Sequence, residues 1–524
     1  MKRLIGSFGR IAILLCAAPC IAPAQNRIWY AESDVGGDLF GIAASLAPDL
    51  DGDGIRELLI GSPGATCSQF SDGAVGVFST SGGELDHWCG SGQEGFGGSL
   101  STIDDVDGDG IADVVIGAPH YWDPFWGSDA GRVALVSGAT GTELLVVGAS
   151  QPVEKFGLTV AGFTDLNGDG LPEFLVGSPG YTTGSGGEGR VYVFSSKDGK
   201  TVRNHYGESV ADRFGRVVCV LSDVDGDDTA DYAVGARLGD QLKGRVYVYS
   251  GGTGKLIQQW TGSEKWEELG VSLAAAGDLD GDGLADLLCG GLSSSGKPYG
   301  YCSAYSPESG ALIWKVEGPI QWELFGAACV DVGDMNGDGF SEFAVSAPLN
   351  DHDGADCGRV DLMSGKTLRP LFRFYPGYAG AGGVFGLKLT AGADFNQDSI
   401  PDLVVSAPGN RVAHPEGGRV SIYAGNDLFL QAEPVRPDEG KKVTLDIRGG
   451  EPGALAALVL VNVNGTEMFV PIAIDVLDAN GELSLTETVP PGTSGYKFKL
   501  IGYAEKSPGS SVLIDTSRAR VNVK

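Results

Sequence analysis

The stretch from Phe96 to Pro119, FGGSLSTIDDVDGDGIADVVIGAP, decides the fold, because its parts return along the chain at fixed offsets. Its Phe-Gly pair recurs at Phe40-Gly41, Phe156-Gly157, Phe214-Gly215, Phe325-Gly326 and Phe385-Gly386, and with leucine at Leu269-Gly270. Nine residues after each pair an acidic loop begins, at Asp49, Asp105, Asp165, Asp223, Asp278, Asp334 and Asp394. The repeat interval drifts between 55 and 60 residues while the nine-residue offset holds. A rigid short unit inside a looser period means one structural module joined by loops of variable length.

Each unit reads as four short strands. One follows Phe-Gly, a second follows the acidic turn, and a third opens on Gly-Arg-Val at Gly131, Gly189, Gly244, Gly358 and Gly418. A turn of Ser-Gly-x-x-Gly type (Ser137 to Gly141, Ser250 to Gly254) leads to the fourth. Four antiparallel strands at this period are the signature of a propeller blade. The fold class is therefore all-β, a seven-bladed β-propeller over residues 25–426. The last unit stops after its third strand at Tyr423, whereas Ile28-Trp29 stands twelve residues before Phe40, as Ile313-Trp314 does before Phe325. The N-terminal strand is expected to complete blade seven and so leave no open sheet edge. Residues 427–524 lose the repeat, and their short strands between Gly, Pro and Asn turns suggest a small C-terminal β-sandwich of immunoglobulin or fibronectin type.

Lys2, Arg3 and Arg10 precede an apolar run from Ile11 to Ala18, and Ala22-Pro23-Ala24 suits cleavage. Residues 1–24 thus read as a signal peptide, and the expected location is secreted, cell-surface or periplasmic. The net charge of −31 argues against nucleic acid or an anionic membrane as partner. No later stretch is long and apolar enough to span a bilayer. After cleavage seven cysteines remain. Cys67 with Cys89, and Cys289 with Cys302, each fall within one repeat and are expected as bridges.

The acidic loops explain the charge. In the second, Asp105, Asp107, Asp109 and Asp113 occupy positions 1, 3, 5 and 9, and Gly110 at position 6 permits the turn that gathers them. The others offer Asp49, Asp51, Asp53 and Glu57; Asp165, Asn167, Asp169 and Glu173; Asp223, Asp225, Asp227 and Asp231; Asp278, Asp280, Asp282 and Asp286; Asp334, Asn336, Asp338 and Glu342; Asp394, Asn396, Asp398 and Asp402. Such hard oxygen donors in a flexible loop select Ca²⁺, up to seven ions in all. The fourth loop has Asp228 in place of a glycine, and the seventh has Gln397 and Ser399 at both glycine positions. Those two sites are expected to be weaker.

Phe-Gly, the Asp-x-Asp-Gly-Asp-Gly loop and the Gly-Ala-Pro at residues 117–119 resemble the FG-GAP repeat of the integrin α-subunit propeller. The resemblance covers about residues 27–425. It implies Ca²⁺ at the loop acids on one face and partners on the opposite face. The chain looks more like the bacterial exported FG-GAP proteins than like an adhesion receptor.

On the opposite face the loop with Tyr121, Trp122, Phe125 and Trp126 is the candidate for protein or sugar contact. Trp266 and Trp322 are expected to pack between blades, and Asp351, His352 and Asp353 to be solvated. The five histidines occupy unrelated repeat positions and no catalytic motif appears, so neither catalytic nor organic-cofactor residues are named. The expected function is a calcium-binding scaffold for a protein or glycan. The alternative is a calcium-dependent carbohydrate-active enzyme, a polysaccharide lyase or hydrolase.

Overall fold

The computed structural model describes residues 27–425 apart from 34, 68–71, 80–82, 93, 126, 128, 185, 294–298, 336–339, 353, 377–381, 398–399 and 410–416. Beyond them it describes backbone strands between 429 and 522. The expected leader 1–24, Trp126, Asn336, Asp338, Asp353, Asp398 and Ser399 lie outside the described residues.

The chain is all-β, and its repeats form seven four-stranded antiparallel sheets. Blade one is built from Ala43–Leu46, Leu58–Ser62, Ala74–Ser79 and Gly83–Cys89, paired in that order. Five further blades repeat the pattern. The seventh joins Leu389–Ala393, Asp402–Ala407 and Arg419–Tyr423 to the N-terminal strand Arg27–Glu32, which pairs Trp29 with Ile422 and Glu32 with Arg419. First strands touch first strands around the ring, and Leu389–Ala393 returns to Ala43–Leu46. The ring is closed.

Sequence explains which strand sits where. Second strands such as Asp113–Ala118 are buried along their whole length, as a continuous apolar run between neighbouring sheets must be. Outermost strands such as Glu143–Gly148 alternate exposed and half-buried residues, with one side toward water. Apolar clusters fill the gaps between blades, for example Phe156, Val133, Val176 and Phe194 between blades two and three.

The two commonest motifs prove to be one joint. The glycine that opens a third strand bridges in parallel to the Phe or Leu of the next blade's Phe-Gly: Gly189 to Phe214, Gly244 to Leu269, Gly358 to Phe385, and Gly418 to Phe40 across the closure. At Gly358 φ is +90°, and a Cβ would stand 2.2 Å from the Phe385 carbonyl oxygen. Only glycine fits there.

One cysteine expectation is corrected. Cys67 and Cys89 form a disulfide with Cα atoms 6.0 Å apart, whereas Cys289 and Cys302 are free thiols. On their facing strands Cys289 pairs with Ser303 and Gly290 with Cys302, a one-residue offset. That offset sends the two sulfurs to opposite sheet faces, Cys289 into the core toward blade four and Cys302 into the core toward blade six.

Past the ring, Phe429–Glu433, Lys442–Arg448 and Leu483–Thr488 form one antiparallel sheet. Thr466–Val476, Leu455–Val463, Lys497–Glu505 and Leu513–Asp515 form a second, with Ala519–Asn522 also on Lys497–Glu505. Among the described residues no helix is long and apolar enough to cross a membrane.

Candidate functional site

Each acidic loop joins the first and second strands of its blade, so all seven hang from the same end of the strands. In the second loop the first aspartate is an internal staple. Asp105 Oδ1 accepts the Gly108 N–H at 2.7 Å and Oδ2 accepts the Gly110 N–H at 2.8 Å. Asp107 and Asp109 accept from the backbone two residues on, at 3.2 and 2.8 Å. These Asx turns, with Gly108 and Gly110 at positive φ, curl the loop and bring its carboxylates together. The same bonds recur in loop one (Gly52 and Gly54 on Asp49), loop three (Gly168 and Gly170 on Asp165) and loop five (Gly281 and Gly283 on Asp278).

The result is clusters whose ligand atoms lie within 4.8 Å of one another: Asp49, Asp51, Asp53 and Glu57; Asp105, Asp107 and Asp113; Asp165, Asp169 and Glu173; Asp223, Asp225 and Asp227. Asp231 is not within that distance of the fourth cluster; it accepts the Val224 and Gly251 N–H groups, both at 2.8 Å. In loop four Asp228 holds φ +64°, and in loop seven Gln397 holds φ +59°, left-handed positions that glycine fills elsewhere. Aspartate tolerates that region better than glutamine.

The ninth-position acid does two jobs, one of which spacing does not reveal. It is buried in every loop. One oxygen accepts the N–H at position two, as Asp113 does from Val106 and Asp402 from Phe395, both at 2.8 Å. The other can reach the turn between the third and fourth strands, as Asp113 does at Gly138 (3.0 Å) and Asp402 at Gly425 (2.7 Å). In loop one that second oxygen, Glu57 Oε1, is buried without a hydrogen-bond partner beside three aspartates. A buried carboxylate oxygen with nothing to accept from is costly. A divalent cation supplies what it lacks, so the residues present fit one.

Titration points the same way. Burial first, then the neighbouring aspartates, push Glu57 up to about 7 and Asp286 up to about 7, and burial pushes Asp231 up to about 6. An acid whose folded-state pKa is raised binds protons that the unfolded chain releases from about pH 4 upward. Stability of the cation-free protein therefore falls as pH rises through that window. In excess chelator the melting temperature is expected to be higher at pH 5 than at pH 7.5, a gap that millimolar calcium narrows. A chelated protein that gains stability over that interval contradicts this picture.

Antiparallel alternation puts the loops between strands two and three, and those between blades, on the other face. There Trp122 is 56% and Phe125 80% exposed, while Tyr121 lies under the Arg132 guanidinium at 5.3 Å. Trp266 and Trp322, expected between blades, are instead 58% and 71% exposed. The reason is local. Each sits in the connection before Leu269-Gly270 or Phe325-Gly326 with φ near +70°, which turns the indole outward. Val153 and Ala211 take the same conformation at the equivalent positions of the two preceding connections. His352 is exposed, and its ring stacks on Tyr375 at 4.1 Å.

Sequence reasoning also missed a set of buried acids two residues before Phe-Gly. Glu94, Glu154, Asp212 and Glu267 accept N–H groups of their own loops, and Glu323 accepts the side-chain amide of Asn350. Glu94 pairs with Arg132, Glu154 accepts from Tyr192 and Glu267 from Tyr301, and Glu323 pairs with Arg359 at 2.9 Å. The signal was present as Glu or Asp at a constant offset from Phe-Gly.

With this geometry in hand, the relatives are informative. An FG-GAP repeat model matches residues 40–78, 96–136, 156–194 and 385–423, and an FG-GAP-like repeat model matches 223–289. Integrin alpha-5 of Xenopus laevis is 31% identical over 283 residues, covering 51% of this chain and 26% of that one. Integrin alpha-PS2 of Drosophila melanogaster is 32% identical over 217 residues, covering 36% and 15%. The chain thus spans about a quarter or less of the length of these relatives. A solved europium-containing methanol dehydrogenase overlaps 70% of this chain and 80% of its own at 13% identity and a TM-score of 0.39, a likeness from which nothing about catalysis follows. Repeats, blades and loop geometry agree: the chain carries FG-GAP repeats and folds as a seven-bladed β-propeller, and over part of its length it is similar to integrin alpha chains.

Proposed function

We propose that this protein is an exported scaffold whose loops hold calcium and whose opposite face binds a protein or glycan partner. Residues 25–426 form the propeller module in this reading, and 427–524 an immunoglobulin- or fibronectin-like sandwich that serves as spacer or second module. The first-loop cluster of Asp49, Asp51, Asp53 and Glu57 supports the calcium assignment, because hard oxygens alone converge there.

The observation that carries the binding role is the pair of exposed indoles at Trp266 and Trp322. The positive φ there recurs at Val153 and Ala211 and belongs to the turn of the repeat; what sets these two connections apart is a large indole held on that turn and left in water. Burying those rings against a partner recovers apolar area that folding left in water. Trp122 and Phe125 extend the same face. The test is a binding screen of calcium-loaded protein against glycan and protein arrays. For any specific hit, the double variant Trp266→Ala/Trp322→Ala is expected to weaken binding by about 30-fold or more, the scale of a buried aromatic anchor. An undiminished affinity in the double variant, with melting unchanged, places the partner elsewhere.

A further inference from the structure

A different chemistry stands at the rim of blade one. His87 and Cys89 are two residues apart on the outermost strand Gly83–Cys89, so their side chains leave the same side. Cys67, in the loop before the third strand, is bonded to Cys89. The His87 Nε2 stands 3.7 Å from Cys67 Sγ. On the other side of the ring, His87 Nδ1 is 2.8 Å from Glu84 Oε1. Residues 84 and 87 would ordinarily face opposite ways on a strand. A bulge corrects this, because Glu84 pairs with Phe78 and Asp86 with Val77, leaving Leu85 as the extra residue that flips the parity.

The arrangement is a carboxylate holding an imidazole whose free nitrogen points at sulfur. One ligand atom from each of Cys67, Cys89 and His87 falls within 4.8 Å of the others, and all three residues are exposed. In a tetrahedral zinc site, bond lengths of about 2.3 Å to sulfur and 2.0 Å to nitrogen put those atoms about 3.5 Å apart. The observed 3.7 Å between His87 and Cys67 matches that, while the two sulfurs, bonded to each other here, must part to about 3.8 Å once the bond is opened. Oriented imidazole with a carboxylate behind it is how metal-ligating histidines are held.

We infer that opening the Cys67–Cys89 bond converts this rim into a Cys₂His site for a thiophilic divalent cation of the zinc class, with Glu84 as its positioning residue. The chemistry balances with a thiol as reductant. One thiolate attacks a sulfur of the disulfide, the other cysteine leaves with the bonding electron pair, and a second thiolate frees the first cysteine and departs as a disulfide. Binding then releases the two thiol protons and joins the cation to two thiolates and the neutral imidazole. The fourth position is free for water or a ligand. The sulfur and nitrogen donors keep this site separate in selectivity from the all-oxygen loops at the far end of the blade.

The test uses full-length protein saturated with calcium, reduced anaerobically with a phosphine, desalted, and titrated with Co²⁺ as the spectroscopic stand-in for zinc. A thiolate-to-cobalt charge-transfer band saturating at one cobalt per chain is expected in the reduced protein and absent from the oxidised one. Cys67→Ser should abolish it. His87→Ala, which leaves the disulfide and hence the oxidised fold intact, should weaken binding, and Glu84→Gln should weaken it about 10- to 100-fold. No thiolate band in reduced wild type overturns the assignment, as does a band undiminished in Cys67→Ser/Cys89→Ser, which would place it on Cys219, Cys289, Cys302, Cys329 or Cys357.

Discussion

Excess chelator is expected to lower the melting temperature of this protein by on the order of 10 °C. The figure follows from five loops that keep glycine at both the fourth and sixth positions of the sequence motif, those beginning at Asp49, Asp105, Asp165, Asp278 and Asp334. Extracellular calcium modules bind with Kd of about 10⁻⁴–10⁻³ M, so at a few millimolar calcium each site adds roughly 1 kcal/mol by mass action. The additions reach the whole ring because each ninth-position acid anchors its loop to a buried second strand, with Asp113 and Asp402 also holding the turn beyond the third. Thermal melts in calcium and in EGTA at pH 7.5 check it. Superimposable curves count against filled, stabilising sites.

The second large effect is at Arg359, the arginine of a Gly-Arg-Val element. Its guanidinium is buried between Glu323, at 2.9 Å, and Asp361, at 2.6 Å. Both acids are themselves buried. Arg359→Met strands two carboxylates, Asp361 keeping Arg373 at 3.4 Å and Glu323 the amide of Asn350 at 2.8 Å. Removing one member of a buried ionic cluster costs about 3–5 kcal/mol. Arg245 occupies the same repeat position in blade four, but its partner Glu208 is half exposed. Arg245→Met should cost about 1 kcal/mol or less on account of that pair. Denaturant melts of the two variants, in calcium, decide the matter. Equal losses would mean that burial of the pair is not what sets the cost.

Much of this was legible in the chain because the decisive features repeat. Phe-Gly and the acidic loop keep a nine-residue offset in every unit, since both belong to one rigid corner of the blade. The displaced strand could be read from Ile28-Trp29, and it pairs with Arg419–Tyr423. What stayed hidden depends on register and backbone hand. Cys289 and Cys302 look bridgeable by spacing, yet a one-residue offset between facing strands separates their sulfurs. Trp266 and Trp322 look like core residues by hydrophobicity, yet a left-handed φ turns them to solvent. The Gly-Arg-Val glycine reads as a strand start, while its task, close approach to the next blade's Phe-Gly, exists only once two blades meet.

The central claim is that the repeated carboxylate turns bind hard divalent ions and so brace the ring. Isothermal titration of calcium into chelator-stripped, full-length protein, with elemental analysis of the dialysed product, tests it most directly. The account predicts about five to seven calcium ions per chain, reduced in Asp49→Ala/Asp105→Ala by the two sites removed. A stripped protein that takes up no calcium at millimolar concentration, or one whose stoichiometry ignores those substitutions, contradicts it.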